Sequence, residues 1–222
     1  MRILNFIRKN SRWFVFGICL LLFIFMLVWV LNYENIGIDR ATADFFVNIR
    51  IDGLTEAMKL ITFLGSAIAI IIGTFLFLVI SKDRHAGLYM LFNVLFVTSF
   101  NNILKIIIER PRPMFGIISE SGFSFPSGHA MMAVAFYGFC IYYIWKYLKN
   151  NKQRWFICGL LSVLIMLICI SRIYLAVHYT TDVIAGVSLS LAYLIILISV
   201  MNRKETFVVN KKDSLKKKKN KN

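Results

Sequence analysis

Two of the three histidines in this chain stand in short polar strings set among long apolar runs. Lys105 is followed seven residues later by Arg112 and Pro113. Pro126, Ser127, Gly128 and His129 come next. Ser171 and Arg172 then precede His178 and Asp182. Charge beside apolar sequence of membrane length is expensive, and it marks function by default. Three cations, two imidazoles and one carboxylate are the groups needed to hold a phosphate ester and break it.

Each string has its own logic. A separation of seven is about two helical turns, which would put Lys105 and Arg112 on one face, although Pro111 and Pro113 must end or bend that helix. The same pair also suits a snorkelling lysine and a juxtamembrane arginine. In the second string, Gly128 lets backbone approach a ligand, and Ser127 with the first free N–H groups of a helix forms an anion-binding donor set. A capped turn with a satisfied interfacial histidine accounts for that string equally well. His178 and Asp182 fall at i and i+4 on a helix, so the carboxylate can accept Nδ1–H, fix the tautomer and leave Nε2 free to attack. Arg172 adds a guanidinium fork suited to phosphate oxygens. An ion pair closing a helix start is the plainer alternative.

The elements that position these strings follow from composition. With 59% apolar and 17% charged residues and a mean hydropathy of +0.70, a soluble domain is excluded. An all-α, six-transmembrane bundle is expected, with spans at residues 13–31, 60–80, 86–108, 130–148, 155–173 and 183–201, each long enough for a hydrocarbon core of about 30 Å. The first run is too long for a secretory h-region and reads as a retained anchor. Residues 32–58 lack proline and alternate apolar with charged positions like an amphipathic helix lying on the interface. Its place is to close the bundle or to border a lipid entry path. The expected organisation is a basic amino terminus (1–12), a six-span domain (13–201) and a basic, disordered tail (202–222).

Orientation comes from the cations. Nineteen Lys and Arg fall on the side holding both termini and seven on the other, so both termini are expected to be cytoplasmic and all three strings to lie on the extracytoplasmic face of a cell membrane. The formal charge of +15 is mostly this asymmetry plus a tail suited to anionic headgroups, with no nucleic-acid partner implied. Cys19, Cys140, Cys158 and Cys169 all fall within spans and read as apolar packing. Apart from the two motif histidines only His85 remains, and no metal site or other cofactor is expected.

Together the strings resemble the three-part signature of the type 2 phosphatidic acid phosphatase superfamily, K-x6-RP, PSGH and SR-x5-H-x3-D, at all eleven specified positions. The resemblance implies that Lys105, Arg112 and Arg172 bind the phosphoryl group while Ser127 and Gly128 donate to its oxygens. It further implies that His178 is the nucleophile, Asp182 orients it and His129 is the general acid. A metal-independent lipid phosphatase is therefore expected, resembling bacterial members of the phosphatidylglycerophosphatase B and undecaprenyl-diphosphate phosphatase types. The partners expected are its lipid phosphate substrate and membrane lipids, with no obligate protein partner. The rival is a non-catalytic lipid-phosphate binder or carrier on the same scaffold.

Overall fold

The computed structural model describes the backbone of residues 2–33, 36–81 and 83–219, and the side chains of 10–33, 36–81 and 83–203. Among the described residues all regular structure is helical: α1 (Arg2–Asn32), α2 (Gly37–Asn48), α3 (Asp52–Phe63), α4 (Ala67–Ile80), α5 (Arg84–Ile108), α6 (Gly128–Tyr147), α7 (Asn151–Tyr174) and α8 (Thr180–Lys219). Stretches of five helices are long and apolar enough to cross a membrane: Asn10–Asn32, Arg84–Ile108, Gly128–Tyr147, Asn151–Tyr174 and Thr180–Arg203. α3 and α4 are long and apolar enough only when taken together, as a pair bent by 47°, and counting them as one broken span brings the total to six. The protein is thus a multi-pass membrane bundle.

Two boundaries differ from expectation. Residues 60–80 read as one unbroken span, but the helix stops at Phe63 and restarts at Ala67. The break is held locally: Ser66 caps α4 by accepting from the Ala69 N–H, and Tyr137 of α6 donates to the freed Leu64 carbonyl at 2.8 Å. Gly65 belongs there because a Cβ would lie 2.7 Å from an Ile168 methyl and 3.3 Å from the His129 ring. The amphipathic segment at 32–58 is likewise two helices, parted at residues 49–51. In α2 the buried residue is Asp39, whereas Phe45 and Val47 are exposed.

At the carboxyl end α8 runs as helix to Lys219, where composition suggested a disordered tail. The segment has no Gly or Pro to stop it, and lysine is a good helix former. Glu34, Lys82 and residues 220–222 lie outside the described residues, as do the side chains of Arg2, Arg8 and Lys9 and those beyond Arg203 that entered the cation count.

α6 is the central helix, packed against α5, α7 and α8. Ala130, Ala133 and Ala135 are wholly buried along it, which suits an environment where close backbone approach rather than water exclusion holds helices together. Polar side chains of its neighbours bond α6 and its lead-in through backbone carbonyls: Asn93 to Ala135 at 2.8 Å, Ser190 to Met131 at 2.8 Å and Asn101 to Pro126 at 3.1 Å. A cluster of Phe23, Val97, Phe125, Met131, Ala185 and Leu189 fills the space between α1, α5, α6 and α8. The polar strings all sit at one end of this framework.

Candidate active site

The loop of residues 109–127 carries Arg112 and Ser127 and begins where α5 stops. That stop comes at Glu109, whose left-handed backbone (φ 51°) closes the helix two residues before the first proline. Lys105 therefore stays in the last helical turn while Arg112 lies in the loop. Arg112 folds the loop around itself, donating from Nε to the Gly122 carbonyl at 3.0 Å and from Nη2 to the Ser121 carbonyl at 3.1 Å. Its Nη1 reaches the Val177 carbonyl at 2.8 Å and His178 Nε2 at 3.3 Å. The Lys105 ammonium has no hydrogen-bond partner among the described residues and lies in the field of Arg112, Glu120, Asp182 and Arg172.

His178 precedes α8 instead of riding on it, so the expected stacking of i and i+4 along a helix is replaced by capping. Tyr179 stands immediately before the helix, and its N–H donates to Asp182 Oδ2 at 3.0 Å. Such a reach back from the third helical residue is a capping-box contact. It brings Asp182 Oδ2 to 3.4 Å from His178 Nδ1. The Ser124 hydroxyl donates to the same oxygen and lies 3.4 Å from Nδ1.

A guanidinium has only donors, so His178 Nε2 accepts from Arg112 and the ring proton is assigned to Nδ1, facing Asp182. Burial pushes the His178 imidazole down to about 4 against the opposing pull of Asp182, and the cations of Arg172 and Arg112 add to the effect. The ring is therefore neutral at pH 7 with Nε2 unprotonated.

Arg172, near the end of α7, is fully buried. Its Nη1 donates to Thr62 Oγ1 at 2.7 Å and its Nη2 to Glu120 Oε1 at 2.5 Å. Two buried polar atoms of the strings, Arg172 Nε and Ser127 Oγ, have no hydrogen-bond partner among the described residues. Buried donors are normally satisfied, so their pairing with a ligand is the natural completion. Ser127 opens α6 without capping it through its side chain, and its N–H donates to the Asp182 carbonyl at 3.1 Å. At Gly128 a Cβ would come within 3.0 Å of Asn101 Oδ1, and at Gly186 a Cβ would come within 2.9 Å of the Ser127 carbonyl. Both glycines let α5 and α8 close on the start of α6. His129 follows, partly buried, in the field of Arg172, Glu120, His178 and Lys105.

All eight residues singled out in the sequence thus share one end of the bundle. Five further participants were missed. Glu120 bridges Arg172 and, at 3.7 Å, Arg112. Burial opposes its ionisation, but the Arg172 charge and hydrogen bond prevail and hold the carboxyl below its usual range. Thr62, in the last turn of α3, reaches the site by accepting from Arg172 Nη1. Ser124 stands two residues before the Pro126–His129 string and had been given no role. Arg110 was counted only as a cation and Asp39 only as a charged position, yet Arg110 pairs with both Asp182 and Asp39. Among the described residues no group of three His, Cys, Asp or Glu side chains is placed to hold a metal ion.

A multi-pass bundle gathering a histidine, a carboxylate and a cradle of cations at one end is the plan of the PAP2 superfamily. The chain belongs to that family, whose model matches residues 86–206. It is 38% identical over 185 residues to phosphatidylglycerophosphatase B of Bacillus subtilis (strain 168), spanning 77% of this chain and 88% of that protein. Over 102 residues it is also 38% identical to dolichyldiphosphatase of Saccharomyces cerevisiae, spanning 40% of this chain and 41% of that protein. Among solved structures, the crystal structure of a transmembrane PAP2 type phosphatidylglycerolphosphate phosphatase from Bacillus subtilis aligns with a TM-score of 0.73 at 33% identity, covering 83% of this chain and 96% of that one.

Proposed function

We propose that this protein is a metal-independent lipid phosphatase acting through a phosphohistidine. The observation that carries the reading is His178: neutral, with Nδ1–H toward Asp182, Nε2 against the Arg112 guanidinium and the Arg172 charge in its field. In this mechanism the phosphate enters between Lys105, Arg112 and Arg172 and takes over contacts now made by Glu120 and by His178 Nε2. Arg172 Nε and Ser127 Oγ supply donors that the protein leaves unsatisfied.

His129 takes up a proton from solvent as the phosphate dianion binds beside it. Nε2 then attacks phosphorus, the bond from phosphorus to the leaving oxygen breaks, and His129 gives that proton to the leaving oxygen. Water, deprotonated by His129, attacks the phosphohistidine; the P–N bond breaks and inorganic phosphate leaves. Fixed cations around the equatorial oxygens stabilise the charge spread over them in the transition state. Asp182 stabilises the positive charge that develops on the ring.

The substrate class is a lipid mono- or diphosphate. Phosphatidylglycerophosphate is favoured by the relative matched over most of both chains, and polyprenyl diphosphates such as undecaprenyl diphosphate are the next to test. The cation asymmetry supports an active site on the extracytoplasmic face with both termini cytoplasmic.

The test is phosphate release from phosphatidylglycerophosphate, phosphatidic acid and undecaprenyl diphosphate by the purified protein in detergent, beside His178→Ala. Turnover by the wild type, acid-labile 32P label on the wild type and neither in the variant is the expected result. Binding of the lipids without turnover would instead establish a carrier.

A further inference from the structure

We propose that Asp39, on the surface helix α2, is a positioning residue for this chemistry: through Arg110 it fixes the Asp182 carboxylate on which His178 depends. The inference rests on His178 being the nucleophile. Asp39 lies outside residues 86–206, which carry the family pattern.

The chain of contacts is short and buried. Asp182 uses Oδ2 for His178, Ser124 and the Tyr179 N–H, and uses Oδ1 for Arg110 Nη1. A carboxylate can turn about its Cβ–Cγ bond, so Oδ2 keeps its aim at the imidazole only while Oδ1 is also held. Arg110 is that hold. Its side chain is 9% exposed, and the guanidinium lies 4.1 Å from the centre of the Tyr179 ring.

The other arm of the fork, Nη2, donates to Asp39 Oδ2 at 2.8 Å. Asp39 is fixed in turn by Thr181, accepting from its N–H at 2.9 Å and its hydroxyl at 2.8 Å, and the same hydroxyl accepts from Arg110 Nη1 at 2.7 Å. One guanidinium thus spans two buried carboxylates, one from α2 and one from α8. Without Asp39, Arg110 would lose the anchor for Nη2, and its grip on Oδ1 would loosen.

A role confined to docking α2 is separable from this one. Thr42 of α2 meets Thr180 at 2.5 Å between hydroxyl oxygens, a tie that bypasses Arg110. The experiment uses the full chain in detergent with short-chain phosphatidic acid, comparing kcat and KM for Asp39→Asn, Arg110→Lys, the double variant, Thr42→Ala and His178→Ala, with thermal unfolding of each.

Asp39→Asn should lower kcat about 10-fold and Arg110→Lys about 10- to 100-fold, in the range seen when support behind an active group is removed. KM should stay within about twofold. The double variant should be no slower than Arg110→Lys, because both changes act through one contact. Thr42→Ala should leave kcat unchanged.

Multiplying losses in the double variant, an unaltered kcat in Asp39→Asn, or an equal loss in Thr42→Ala would each overturn the proposal. If Asp39→Asn does not fold, a folded Arg110→Lys with normal kcat overturns it as well. Turnover by His178→Ala would bring down the mechanism itself. An inactive His178→Ala beside a fully active Asp39→Asn would bring down this inference alone.

Discussion

Acidification tests the reading of His178 most directly. A free imidazole takes up a proton near pH 6.5, whereas burial, joined by Arg172 and Arg112 and opposed by Asp182, places His178 at about 4. His129 is a further titratable neighbour in its field. The gap of about 2.5 pH units corresponds to roughly 3 kcal/mol at 1.36 kcal/mol per unit. At pH 5 an imidazole titrating near 4 is about 90% neutral and one titrating near 6.5 only about 3%, so the two cases differ some 30-fold in competent nucleophile.

The assay is kcat/KM for short-chain phosphatidic acid between pH 3.5 and 8. A phosphomonoester loses its second charge near pH 6, and that limb is common to every variant. The enzyme's own limb should lie near pH 4 and move lower in Asp182→Asn, because Asp182 favours the protonated ring. Stability follows the same group. Its folded value is depressed, so unfolded chains bind the extra proton first and stability falls from about pH 6.5 down to about 4, by on the order of 3 kcal/mol. Thermal unfolding against pH measures it. If the limb that responds to Asp182→Asn has its midpoint near 6.5, the account of a buried neutral nucleophile is wrong.

Arg172→Lys keeps the charge but cannot bond both Thr62 and a phosphate in fork geometry; losing one or two charged hydrogen bonds of about 1.5 kcal/mol or more each should lower kcat/KM about 10- to 100-fold and weaken vanadate inhibition. Because the phosphate is neutralised by side-chain cations in this mechanism, turnover should survive EDTA, and restoration by Mg²⁺ after an EDTA block would refute it. Asp182→Asn should reduce kcat by roughly 10- to 10⁴-fold, as expected when a histidine loses its orienting carboxylate, and an unchanged rate would make Asp182 structural. For topology, a cysteine at the exposed Met114 should react in intact cells with an impermeant thiol reagent, and the opposite outcome would turn the site inward. Glu120 is unsuitable for this probe because its carboxylate belongs to the cation cluster.

The sequence made the spans and the eight motif residues legible because both signals are local: apolar length reads as a crossing, and fixed spacing reads as a motif. What it left dark depends on contacts distant along the chain. Arg172 meets Glu120 and Thr62 across 52 and 110 residues, and Thr181 meets Asp39 across 142. No local pattern encodes such pairs. The break at residues 64–66 was hidden in a run of apolar residues; its one visible sign was Gly65 followed by Ser66, a residue able to cap the next helix. Glu120 had a weaker sign, being a carboxylate on the same side as three cations.

Glu120 also bears on what this site ignores. Bilayers are crowded with phosphodiesters, each bearing one negative charge, and an open cradle of cations would attract them all. In the proposed mechanism a newcomer must offer Arg172 more than the Glu120 carboxylate, already bonded to it, does. A diester brings a similar single charge and gains little by exchange, whereas a terminal phosphate brings close to two charges and three acceptor oxygens. In the proposed mechanism the carboxylate would therefore act as a threshold, letting a scarce substrate compete in a sea of abundant look-alikes.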